Sequence, residues 1–220
     1  MKKITIALMM ILVTSITFAQ MPEKFVKAME QKVPSVDTAM DVNSLLEMAN
    51  AFERIADAEK TQWLAYYYAA LCNVNAGLMM GGGNVMAGNA EKTDPIANKA
   101  ENLLSKAEAL TKDNSEIYVV KKLIATLRLM GDPMNRYMTY GPVAEQALQT
   151  ARKLDPENPR TYLLEAQDKY FTPEQYGGSK TAAKALFETA MKKFETAKPE
   201  TSIHPSWGLP AAKYFYSQIQ

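Results

Sequence analysis

Three stretches decide the fold: Ala100-Glu101-Asn102-Leu103-Leu104-Ser105-Lys106-Ala107, Ala144-Glu145-Gln146-Ala147-Leu148-Gln149-Thr150-Ala151 and Ala183-Lys184-Ala185-Leu186-Phe187-Glu188-Thr189-Ala190. Each places alanine, a large apolar residue and alanine at offsets of 0, 4 and 7. On a helix those offsets share one face. Two alanines flanking one large residue let a neighbouring helix approach closely. The copies begin 44 and 39 residues apart, the period of a repeated helical hairpin.

A second signature follows the first two copies. Tyr118 and Tyr162 stand eleven residues beyond Ala107 and Ala151. Between Ala151 and Tyr162 lies Leu154-Asp155-Pro156-Glu157-Asn158-Pro159, in which Asn158 can cap a helix that opens on Pro159. Asn114 holds the equivalent place before Tyr118. These residues resemble the tetratricopeptide repeat, whose second helix carries Ala, a bulky residue and Ala before a turn of this kind. In that family an aromatic residue then opens the next unit, with a small residue four positions on. Tyr162 and Ala166 fit, as do Trp207, Ala211 and Tyr214. Lys122 departs from the pattern where a small residue belongs. The resemblance covers about residues 60–220 and implies an all-α fold, an α-α superhelix (TPR-like solenoid) of about four helical hairpins.

The periodicity predicts helices over about 22–33, 41–59, 61–79, 95–111, 114–130, 142–153, 159–171, 179–195 and 205–219. The repeat exceeds the family's 34 residues, and the surplus falls in long inter-helix insertions. These are 81–95, Met130 through Pro142, and Thr172 through Gly178, all bearing Gly and Pro and the last two Tyr. Loops of this kind emerge along one edge of a solenoid.

Residues 1–19 read as a signal peptide. Lys2 and Lys3 precede an apolar run from Ile4 to Phe18, and Thr17-Phe18-Ala19 offers a small-x-small cleavage site. The run is short for a membrane span of roughly 20 residues. The expected mature chain, 20–220, is a single helical repeat domain in the periplasm or secreted, with no membrane span after cleavage. It would carry 23 basic against 24 acidic side chains once Lys2 and Lys3 are lost. That balance gives nucleic acid no basic surface to bind.

The resemblance implies a concave face lined by first-helix positions. Here they are Glu116, Val119, Leu123 and Thr126 in one unit, and Arg160, Leu163, Gln167, Tyr170 and Phe171 in the next. Tyr67 joins them from Trp63-Leu64-Ala65-Tyr66-Tyr67-Tyr68, an aromatic run that suits either core packing or a face for peptide or glycan. The expected role is a non-catalytic scaffold for a protein or peptide partner in the cell envelope, without a cofactor. The alternative is a carrier of a small ligand, glycan or metal, or an accessory subunit of an envelope enzyme.

Other motifs point away from catalysis. The glycines at 81–83 lack the strand and Gly-Lys-Ser/Thr of a phosphate loop. Gly177-Gly178-Ser179 reads as a turn with Ser179 as helix cap. His204 is the single histidine and cannot build a zinc site alone. The single cysteine, Cys72, excludes an internal disulfide and reads as a buried thiol. Methionines recur at 130, 134 and 138; thioethers bind cuprous ion, but they also fill helical cores and adaptable surfaces.

Overall fold

The structure is a computed structural model that describes residues 21–39, 41–81 and 88–219. The predicted signal peptide and most of the first glycine-rich stretch lie outside the described residues. Helices are α1 (Glu23–Glu30), α2 (Val42–Ala58), α3 (Trp63–Gly81), α4 (Ala90–Leu110), α5 (Ser115–Gly131), α6 (Pro133–Leu154), α7 (Pro159–Phe171), α8 (Lys180–Thr196) and α9 (Leu209–Ser217), with short 3-10 turns at Val33–Ser35 and Glu174–Tyr176. No strand occurs among the described residues.

Local chemistry sets the starts of these helices. Asn114 and Asn158 each accept a hydrogen bond from the backbone N–H two residues on, at 2.9 and 3.0 Å. Ser179 caps α8 by accepting from the Ala182 N–H. Asp41 caps α2 through the Ser44 N–H at 2.9 Å. Such caps satisfy backbone donors that a helix leaves open. Gly178 permits the turn into α8, because a Cβ there would run into the Thr172 carbonyl oxygen.

The chain is an α-α superhelix of hairpins. α3 packs on α4, α5 on α6 and α7 on α8, while α2 and α9 close the two ends. α3 also packs on α5, so the first helices of two successive hairpins adjoin. All nine residues of the three alanine triplets are buried, on α4, α6 and α8. α3 is apolar all round and buried continuously from Leu64 to Val74, as a helix with neighbours on every side must be. From Leu64 to Tyr68 the aromatic run is therefore core, with Trp63 half-buried against it: Phe52 of α2 stacks on Tyr68 at 5.1 Å, and Tyr67 meets Tyr68 edge-on at 5.1 Å. Cys72 is buried with it, and burial pushes its thiol pKa up to about 12, which leaves it an inert packing group.

Two insertions take a different form from the one expected. Met130 through Pro142 was expected as a loop; instead α6 starts at Pro133 after a single residue, Asp132, and runs through Gly141 and Pro142. Asp132 accepts from the Asn135 backbone, and Pro133 fits the first helical position, where its missing N–H costs nothing. Pro142 deprives only the carbonyl of exposed Met138 of a partner. Likewise α4 begins at Ala90 and carries Pro95 inside it. Lys122 reaches from α5 to Asp168 on α7 at 2.6 Å, so the residue that departs from the repeat pattern ties two hairpins together.

Candidate functional site

The expected concave groove is occupied by the chain itself. Residues 197–208, between α8 and α9, form an irregular strap; 197–200 are exposed, and 203–208 lie over the floor made by α3, α5 and α7. Arg160 donates through Nη1 to the Trp207 carbonyl and through Nη2 to the Pro205 carbonyl, both at 3.2 Å. The Trp207 indole N–H donates to the Tyr67 hydroxyl at 2.7 Å. The Gly208 N–H donates to Asp37 at 2.9 Å, and the Ser202 hydroxyl to Glu30 at 2.6 Å. Ile203 is fully buried in the main core with Phe25, Met29, Val33 and Val36.

Beneath the strap lies a buried ionic network. Glu116 accepts from Arg160 Nε at 2.8 Å, from Asn158 at 2.6 Å and from the Tyr67 hydroxyl at 2.6 Å. The Glu116 and Arg160 side chains are only 10% and 9% exposed. Burial, and then the Glu116 carboxylate beside it, hold the Tyr67 phenol well above its ordinary pKa. Burial pushes Asp37 up, against the opposing pull of the Gly208 N–H and Arg160. Burial pushes His204 down, while its ring lies 6.0 Å from Trp63.

The ten residues expected on the concave face thus separate, with Glu116 buried in the ionic network and Thr126 half-buried. Tyr67, Val119, Leu123, Arg160 and Leu163 are buried. Tyr67 and Arg160 hold the strap, Val119 and Leu123 belong to the main core, and Leu163 packs in a second core under Gly208. Gln167 and Tyr170 are half-buried, and Phe171 is 63% exposed. Trp207, expected to open the last helix, sits on the strap instead. Gly208, with φ of +114°, turns the chain before α9 begins at Leu209.

What remains accessible is an aromatic face on the last three helices. Tyr170 and Phe171 of α7 meet at 5.0 Å; Tyr170 lies 5.4 Å and Phe171 5.3 Å from Phe215 of α9. Phe187 of α8, fully buried, stacks beneath Phe215 at 5.9 Å and 14°. Tyr214 packs edge-on against Phe215 at 5.2 Å and is 61% exposed. The Lys180 ammonium sits 3.1 Å from the centroid of the Tyr170 ring, and that of Lys184 5.5 Å from Tyr216. The face therefore has a rigid floor, two bare rings and cations at its edge. It suits a flat, apolar ligand. Sequence reasoning found Tyr170 and Phe171 but missed Phe215 and Tyr214 as their partners, because only tertiary folding brings α9 to α7.

A second bare apolar face lies on the first half of α6. Met134 and Met138 are 75% and 81% exposed, with Tyr137 exposed between them. Among the described residues, no group of three His, Cys, Asp or Glu could hold a metal ion, and no helix is long and apolar enough to cross a membrane.

No family model matches the chain, and no curated protein sequence matches it. Among solved structures, it is similar to the HusA haemophore from Porphyromonas gingivalis, with 31% sequence identity. The likeness covers 89% of this chain and 92% of that one, with a TM-score of 0.76.

Proposed function

The chain belongs to the family of the HusA haemophore, and from that premise we propose that it is an exported carrier of haem. The observation that carries this reading is the likeness over nearly the whole of both chains. It favours a small-ligand carrier over a peptide scaffold. The strap supports the same choice, because the groove where a peptide would lie is filled by residues 197–208.

On this reading the α7–α9 aromatic face holds the macrocycle. Phe171 and Tyr214 cover it, while Phe187 keeps Phe215 and Tyr170 in place from below. Burying about 200 Å² of apolar surface there contributes about 5 kcal/mol. A carrier of this kind catalyses no reaction, and its task is to keep an insoluble ligand in solution. Export follows from the signal peptide expected at 1–19, with cleavage after Ala19 and residues 20–220 as one domain. The alanine triplets support a tetratricopeptide-type origin for the hairpins. The bare α6 face around Met134, Tyr137 and Met138 supports a protein partner in the envelope, since exposed methionine makes an adaptable docking surface.

Titration of the mature chain with haem, followed by absorbance, tests the reading. Saturable binding with a Kd of about 1 μM or tighter is expected. Absence of saturation at tens of micromolar would overturn it.

A further inference from the structure

In this half of the molecule some cations hold a carboxylate and others, Lys180 and Lys184 at the edge of the aromatic face among them, do not. Lys122 holds Asp168, Arg152 holds Glu165, Arg160 holds Glu116 and Lys193 holds Glu157. Lys180 and Lys184 have no carboxylate within 4 Å among the described residues and lie against rings instead. Glu188, one turn beyond Lys184, accepts a hydrogen bond from the Tyr216 hydroxyl at 2.8 Å. The two lysines stand at i and i+4 on α8, so their Cβ atoms are about 6 Å apart. They share the helix face of Phe187, which supports the aromatic floor. Two ammonium groups with no carboxylate within 4 Å thus border one edge of the aromatic surface.

We propose that Lys180 and Lys184 form a carboxylate clamp, by which the site selects a flat macrocycle bearing two acidic side chains on one edge. This rests on the haem-carrier reading and goes beyond it by naming what sets specificity. The aromatic rings receive the apolar plane. The two ammonium groups, held beside it by cation–π contact with Tyr170 and Tyr216, receive one carboxylate each. A neutral ligand of the same shape gains only the first of these contributions.

The test compares haem with its dimethyl ester, both presented in the same detergent, on the parent protein, K180Q/K184Q and K180R/K184R. The parent is expected to prefer the diacid about tenfold, from two partly exposed ion pairs, and the preference should shrink as salt is raised. K180Q/K184Q should reduce the preference to about twofold or less by weakening the diacid, and the arginine pair should retain it. An undiminished preference in K180Q/K184Q refutes the clamp. Equal binding of diacid and ester by the parent also refutes it, while leaving haem carriage intact. Binding of neither ligand by the parent overturns the carrier reading and the clamp together.

Discussion

Replacing Arg160 with methionine keeps most of the side-chain volume and removes the guanidinium. Three hydrogen bonds vanish at once: one to Glu116 and two to the strap carbonyls of Pro205 and Trp207. Glu116 is left with Tyr67 and Asn158 as its remaining donors and nine-tenths of its side chain out of water. Removing one partner of a buried pair costs about 3–5 kcal/mol, mostly through the stranded charge. For a chain of this size that corresponds to a fall in melting temperature of about 10 °C. Urea unfolding reads the loss directly, and the midpoint should move with little change in slope. A cycle with Glu116→Gln should give a coupling energy above about 1 kcal/mol. Were Arg160 instead part of an open concave surface, the substitution would cost no more than about 0.5 kcal/mol. A loss that small would refute the sealed groove.

Gly208→Ala should destabilise the chain by about 1–3 kcal/mol, because φ is +114° and a Cβ would lie 2.9 Å from both Leu163 Cδ2 and Phe194 Cζ; unfolding by denaturant checks it. Asp37→Asn keeps an acceptor for the Gly208 N–H without a charge to bury. The folded pKa of Asp37 is raised, so its favourable contribution is fully present below the unfolded value near 3.8 and is lost as pH rises through the folded value. The variant should therefore be at least as stable as the parent at pH 7 and lose that advantage toward pH 3, as melting curves across pH will show. Phe171→Ala removes a largely exposed ring, so stability should change by no more than about 0.5 kcal/mol. Haem affinity in the same preparation should fall about tenfold. An unchanged affinity would move the ligand off the α7–α9 face.

The parts of the fold visible in the sequence are those governed by short-range rules. Ala100, Leu104 and Ala107 declare a packed helix face through spacing alone, and Asn114, Asn158 and Ser179 announce helix starts through side-chain chemistry. Gly141-Pro142 misleads because a local rule against helix is outweighed. The bond lost at Pro142 lies on the solvent side, and the rest of α6 is held by α5. The strap has no periodicity to read, and its contacts join residues 45 to 172 apart in sequence. Trp207 therefore passes for the aromatic that opens a repeat, although it spans from the strap to Tyr67. The candidate site was half legible for the same reason. Tyr170 and Phe171 lie at readable positions of α7, whereas Phe215 and Lys180 reach them only through tertiary packing.

Mapping amide resonances of residues 20–220 while haem is added tests haem carriage on the aromatic face most directly. Shifts and paramagnetic broadening should concentrate around Phe171, Lys180, Lys184, Tyr214 and Phe215, with Trp207 and Gly208 on the strap unmoved. A response centred on Tyr67, Arg160 and Trp207 would mean that the strap yields and the groove takes the ligand. That result, or no response anywhere, would contradict the account.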